Sequence, residues 1–148
     1  MEGSATLYAV MDIGSNSTRL MLASKEGGRF LVQEKKLRIT RIGDQIASKG
    51  TLSEEGMERT MEALKDFLHD AREAGADEVC AFATSAVRDA GNKRDFLARC
   101  NEALAFEVDV LDGRMEALLA YMGVMPQGDA ARVIDIGGGS TELIAGDG

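Results

Sequence analysis

Val10-Met11-Asp12-Ile13-Gly14-Ser15-Asn16-Ser17-Thr18-Arg19-Leu20 returns without a gap as Val133-Ile134-Asp135-Ile136-Gly137-Gly138-Gly139-Ser140-Thr141-Glu142-Leu143. Each copy runs from apolar residues through Asp and Ile into a turn of small residues and hydroxyls, then into a second apolar run. Two strands joined by such a turn form a hairpin whose tip presents backbone N–H groups and Ser/Thr hydroxyls. Consecutive N–H donors in a tight Gly-rich turn make a concavity for anions, and phosphate oxygens fit it. Two copies predict two phosphate-binding tips facing one another across a cleft. The repeat marks a duplicated domain rather than a solenoid.

In the first tip, Gly14 permits a turn that a side chain would block. Ser15, Asn16 and Ser17 supply donors, and Arg19 can grip a phosphate through two parallel N–H···O bonds. A plain turn also favours Gly, Ser and Asn, for conformational reasons, so this tip alone leaves both readings open. The second tip is more specific. Gly137, Gly138 and Gly139 in succession are costly in conformational entropy, and an ordinary hairpin avoids them. They fit a ligand whose oxygens approach the backbone closely, with Ser140 and Thr141 as further donors. Asp135 and Glu142 flank this turn with carboxylates, which suit Mg²⁺ held together with substrate phosphates and water.

Three other residues are weighed for chemistry. Glu116 lies on the polar side of a predicted helix, near the C-terminal end of the strand before it. In open α/β sheets ligands sit outside the carboxyl ends of strands. On spacing alone, a solvated helix carboxylate is the competing reading. Arg88, in Thr84-Ser85-Ala86-Val87-Arg88, also follows a strand end and is a candidate for facing a phosphate, with a surface arginine as the alternative. His69 sits among Asp66, Asp70 and Arg72 and reads as a solvated face residue.

The chain has 148 residues, of which 45% are hydrophobic, enough to bury the core of one domain. The second copy of the motif runs to the end of the sequence. The expectation is therefore a fragment: one whole domain over residues 1–125, a linker at 126–130, and the opening hairpin of a second domain at 131–148. A complete protein ending in a hairpin is the alternative. The net charge of -8 argues against nonspecific nucleic-acid or anionic-membrane binding. It leaves room for a phosphorylated ligand, because an arginine and a divalent cation reverse the field inside a cleft. No apolar run approaches the length of a transmembrane helix, and Met1-Glu2-Gly3-Ser4 does not open a signal peptide. Cys80 and Cys100 make no disulfide framework, Cys80 reads as a buried free thiol, and a cytoplasmic location fits best.

Leu7 to Ile13 is almost wholly apolar, as in a strand buried on both faces. Arg19 to Ala23 is a second strand. Phe30 to Ile42 is a third, whose Gln33-Glu34-Lys35-Lys36 marks an edge protected by charge. Lys25-Glu26-Gly27-Gly28 turns between the last two. Ser53 caps a helix with Met57, Met61, Leu64, Leu68 and Ala71 on one face, ended by Gly75. Val79 to Thr84 is a strand. Asn92 caps a second helix bearing Phe96, Leu97, Cys100 and Leu104. Phe106 to Leu111 is a further strand. Asp112 caps a third helix with Met115, Leu118, Leu119 and Met122 inward. Pro126-Gln127-Gly128-Asp129 is the linker. The order βββαβαβα, then ββ, predicts an α/β fold: a mixed sheet with helices on both faces.

Together these residues resemble the exopolyphosphatase / guanosine pentaphosphate phosphohydrolase family, in the superfamily of actin, the Hsp70 chaperones and the sugar kinases. Asp12-Ile13-Gly14-Ser15-Asn16-Ser17 with Arg19-Leu20 is similar to its first phosphate loop, and Asp135 to Leu143 to its second. Arg41-Ile42-Gly43, Gly50-Thr51-Leu52-Ser53 and Ala83-Thr84-Ser85-Ala86-Val87-Arg88-Asp89-Ala90-Gly91-Asn92 resemble its intervening segments. The resemblance implies a ribonuclease H-like (actin-like ATPase) domain followed by the start of a second. It implies Mg²⁺-dependent release of orthophosphate from the end of inorganic polyphosphate or guanosine pentaphosphate. Glu116 matches the family's catalytic carboxylate, and Glu142 would assist with metal or water. Where the family reads Gly-Glu-Glu-Glu-Ala-Arg-Leu, this chain has Gly113-Arg114-Met115-Glu116-Ala117-Leu118-Leu119. That departure gives weight to a rival reading, a non-catalytic module that senses an alarmone such as guanosine penta- or tetraphosphate. The resemblance also implies a homodimer for the full-length protein.

Overall fold

A computed structural model describes residues 5–124 and 131–146. Strand β1 (Thr6–Ile13) is the middle of a five-stranded sheet. It runs antiparallel to β2 (Ser17–Glu26), which pairs antiparallel with β3 (Arg29–Ile39). On its other side β1 runs parallel to β4 (Glu78–Ala83), which pairs in parallel with β5 (Asp109–Val110). The order is β3-β2-β1-β4-β5, so the charged third strand is the edge that its sequence predicts. Gly27 and Gly28 both adopt positive φ at the β2–β3 turn, a conformation glycine enters without steric cost.

The sheet's inner face is set by alternation. Ala9, Met11 and Ile13 of β1 are buried, beside Leu20 and Leu22 of β2 and Ala81 and Ala83 of β4. Helix α2 (Glu54–Glu73) covers this face with Met57, Thr60, Ala63, Leu64, Phe67, Leu68 and Ala71. Ser53 caps α2: the Gly56 N–H donates to its Oγ at 3.1 Å, a bond that contributes on the order of 1 kcal/mol. Gly75 follows the helix in the left-handed conformation. Helix α4 (Lys93–Leu104) packs on α2 through Phe96, Cys100 and Leu104. Full burial of a side chain such as Phe67 or Phe96 contributes roughly 1.5–3 kcal/mol.

Helices stand on both faces. Asp12, Arg19 and Phe82 alternate with the buried residues and so point to the opposite side, where Leu119 and Ala120 of α5 (Gly113–Val124) share a cavity with them. Strands β6 (Ala131–Ile136) and β7 (Thr141–Gly146) form a separate antiparallel hairpin. Tyr121 of α5 lies against Gly146 of β7, where any Cβ would meet its ring.

Several expectations are corrected. The third strand ends at Ile39 rather than Ile42 because the Thr40 and Arg41 N–H groups turn to the Asn16 carbonyl, at 3.1 and 3.0 Å. The strand expected over Phe106 to Leu111 is only Asp109–Val110. Helices α1 (Ile46–Lys49) and α3 (Ser85–Asp89) are too short for periodicity to reveal. Met115, Leu118, Leu119 and Met122 are exposed, since α5 meets the hairpin and not the core. Cys80 is exposed on the outer face, because alternation gives the inward positions of β4 to Ala81 and Ala83. Asn92 stands at the start of α4 but makes no side-chain cap. Its amide instead pairs with both backbone groups of Leu52, at 2.9 and 3.0 Å. The linker at Pro126 to Asp129, and with it the boundary between 1–125 and 131–148, lies outside the described residues.

Candidate active site

The doubled sequence is a doubled structure. In the first copy Ile13 pairs with Thr18 and Asp12 with Arg19. In the second Ile136 pairs with Thr141 and Asp135 with Glu142. The Gly14 N–H donates to the Ser17 carbonyl at 3.1 Å, and the Gly137 N–H to the Ser140 carbonyl at 2.9 Å. A Cβ on either glycine would press on that same carbonyl. The copies differ where it matters electrically. The first faces its Asp with an arginine, the second faces its Asp with a carboxylate, so one tip favours anions and the other a cation.

The first tip is braced from behind. The Gly43 N–H donates to the Ser15 carbonyl at 2.9 Å, and Thr18 Oγ1 shares a buried hydrogen bond with Thr40 Oγ1 at 3.0 Å. A Cβ on Gly43 would meet the Cβ atoms of Ser15 and Ala86 at 3.0 and 3.1 Å. Ser15 Oγ lies 3.1 Å from Ser85 Oγ, which ties the tip to the start of α3.

Residues of both tips line one cavity, as two tips facing across a cleft would, and beside it the tips also touch. A Cβ on Gly138 would lie 2.9 Å from the Asn16 Cβ, and one on Gly139 would run into Ser15 and Ser85. The missing side chains at Gly138 and Gly139 therefore make room for the neighbouring loop. Two cavities flank this contact, of about 650 and about 680 Å³.

Ser15, Asn16, Ser17, Arg19, Glu116, Asp135, Gly137, Gly138 and Ser140 line the first cavity, as do Asp12 and Phe82. Gly139 and Thr141 line the second. Arg88 and Glu142 are not among the described residues lining either. Arg88 Nη1 donates to Glu116 Oε2 at 2.7 Å and to the Leu111 carbonyl at 3.0 Å. The hydrogen bond to Glu116 raises the pKa of Arg88, with the charges of Glu116, Asp89 and Glu142 acting in the same direction against desolvation. The site is thus a set of carboxylates, Asp12, Glu116, Asp135 and Glu142, threaded by Arg19 and Arg88.

Asp12 is the residue that sequence reasoning passed over, although its repeat mate Asp135 was singled out. Burial pushes its pKa up, Arg19 pulls it down, and Glu116 and Asp135 raise it further. A carboxylate whose folded pKa is raised contributes stability below its unfolded pKa and loses it as pH climbs through the folded value. At pH 7, above the unfolded value, burying this carboxyl is therefore unfavourable to folding. Asp12→Asn is expected to raise the melting temperature at pH 7, and the gap should close as pH falls toward about 3.9. A lower melting temperature for the variant at pH 7 would show that attraction to Arg19 outweighs desolvation.

Among the described residues no three His, Cys, Asp or Glu side chains converge as a ready-made metal cage. Mg²⁺ does not require one, since it is commonly held by one or two carboxylates with substrate phosphates and water. The hard oxygen donors of Asp135 and Asp12 at the cavity fit that mode, with Glu142 opposite Asp135 on the hairpin.

Solved structures match this fold over nearly the whole of the chain. A Ppx/GppA family member from Aquifex aeolicus is 33% identical with a TM-score of 0.84, over 97% of this chain and 48% of that one. An exopolyphosphatase from Cytophaga hutchinsonii is 31% identical with a TM-score of 0.88, over 95% of this chain and 46% of that one. The chain thus spans about half the length of these relatives. The ethanolamine utilization protein EutJ from Carboxydothermus hydrogenoformans, at 16% identity and a TM-score of 0.56 over 95% of this chain and 47% of that one, shares the actin-like fold alone. Among the described residues no helix is long and apolar enough to cross a membrane. A family model matches residues 20–148, and the chain belongs to the Ppx/GppA phosphatase family.

Proposed function

We propose that this chain forms the first lobe, and the first hairpin of a second lobe, of an enzyme that releases orthophosphate from the end of a phosphoanhydride chain. The observation that carries the reading is the abutment of two loops of one geometry at a cavity walled by Glu116. Catalysis of phosphoryl transfer is mostly positioning and charge stabilisation. Loop N–H groups and the Ser15, Ser17 and Ser140 hydroxyls would hold the phosphoryl oxygens, and Arg19 the next phosphate along. Glu116 would orient the attacking water and accept its proton. Asp135 and Glu142, with Asp12 beside them, would hold Mg²⁺, which when bound neutralises charge developing on the phosphoryl oxygens.

The substrate class is inorganic polyphosphate or guanosine pentaphosphate, the two that the family resemblance suggests. The hairpin exposes Ile134, Ile136 and Leu143, and a lone two-stranded hairpin is marginal in water. We therefore assign it to a second actin-like lobe completed by further chain, and expect little turnover from residues 1–148 alone. Homodimerisation belongs to the same proposal, for a polypeptide of family length. The sensor alternative gains nothing from α5: Arg114 and Met115 are exposed and are not among the described residues lining the cavities.

The deciding experiment measures orthophosphate release from both substrates by a family-length polypeptide carrying this sequence, with Mg²⁺ and with a chelator. Release that stops on chelation supports the hydrolase. Tight binding of guanosine pentaphosphate without release in Mg²⁺ would move the reading to the sensor.

A further inference from the structure

Helix α5 carries Glu116 but has no buried residue, so core packing does not aim that side chain. Asp112 caps the helix, its Oδ1 accepting from the Met115 N–H at 2.7 Å. The cap sets the backbone and leaves the Glu116 carboxylate to be held by something else.

Arg88 is built to hold it. Val87 beside it is fully buried. The Arg88 N–H donates to the Thr84 carbonyl at 3.0 Å, and its own carbonyl accepts from Lys93 Nζ at 2.7 Å. From this anchored base one guanidinium nitrogen reaches both Glu116 Oε2 and the Leu111 carbonyl, just ahead of α5. Its Nε faces the Asp89 carboxylate at 3.5 Å. Nη1 and Nε are thus turned to Glu116, the Leu111 carbonyl and Asp89. Arg19 lines the first cavity, whereas Arg88 lines neither.

We infer that Arg88 is a positioning residue for Glu116 and not a phosphate ligand, an inference that rests on the hydrolase reading above. It clamps the side chain and the backbone entry of an otherwise loosely seated helix, and so holds the carboxylate at the cavity wall. Lysine is a poor replacement, because a guanidinium spans several acceptors in a fixed plane and an ammonium does not.

Two measurements test this. In a family-length polypeptide, Arg88→Gln is expected to lower kcat by up to about 10²-fold, the effect of misplacing a reacting group by an ångström. KM should stay within about twofold, the pattern of an interaction lost only in the transition state. Arg88→Lys should leave KM equally unmoved and restore only part of kcat. A raised KM with unchanged kcat in either variant overturns the inference and makes Arg88 a phosphate ligand.

The second measurement needs no turnover. In the 148-residue chain, the Arg88 guanidinium N–H signals are followed by NMR, with Val87 methyl signals reporting that the lobe is folded. They should be protected from exchange, lose that protection in Glu116→Ala, and stay in place when inorganic tripolyphosphate is added. Signals indifferent to Glu116→Ala, or moved by tripolyphosphate, overturn the inference. If the unsubstituted polypeptide releases no phosphate, the hydrolase reading fails by itself, and the guanidinium signals still decide the role of Arg88.

Discussion

Glu116→Gln is expected to lower the kcat of phosphate release by about 10²–10⁴-fold, the usual contribution of a positioned general base. The amide keeps the shape of the side chain and an oxygen that can accept from Arg88 Nη1, now 2.7 Å away. It loses the lone pair that would take a proton from water. KM should therefore hold while kcat falls. Stability should change little, because α5 contributes no buried residue. The measurement is steady-state phosphate release by the family-length polypeptide beside a melting curve. A variant that retains more than a tenth of the activity would remove Glu116 from the chemistry and leave Asp12 and Asp135 as the carboxylates to test.

Gly139→Val is expected to be nearly as damaging, for a reason of space rather than of charge. A Cβ at this position would lie 3.0 Å from the Ser15 Cβ and 3.2 Å from Ser85 Oγ, and nearer still to the Ser15 hydroxyl. Valine adds two more carbons there. Ser15 cannot yield easily, because its carbonyl is held by Gly43 and its hydroxyl by Ser85. The second tip must move away from the first, and an ångström of misplacement costs about 10²-fold in rate. The first lobe should melt as before, within about 0.5 kcal/mol, since neither β6 nor β7 contributes a residue to the core. Full activity in Gly139→Val would mean that the loop contact is not kept in the working enzyme.

The sheet, its charged edge, the cap at Ser53 and the inner face of α2 were legible in the sequence because each is written within a few neighbouring residues. Alternation, helical spacing, a capping serine and paired glycines are local signals, and so is a motif repeated whole. Local pattern misled at two places. The apolar residues of α5 predict an inward face, yet Met115, Leu118 and Met122 meet no core. Cys80 looked buried because the run around it is apolar, but in a strand only alternate residues share a face.

The sequence by itself determined the duplicated hairpin, the mixed sheet and the residues at the two hairpin tips. The tertiary structure alone decided that the loops abut, that Asn92 serves Leu52 and that Arg88 serves Glu116. Those pairs stand 40 and 28 residues apart in the chain. Short-range spacing cannot encode them: Arg88 and Glu116, which follow β4 and β5, meet because those strands pair in parallel. A carboxylate or guanidinium has the same local signature on a solvated helix as in a site. What distinguishes the two is the partner that folding places within hydrogen-bond reach.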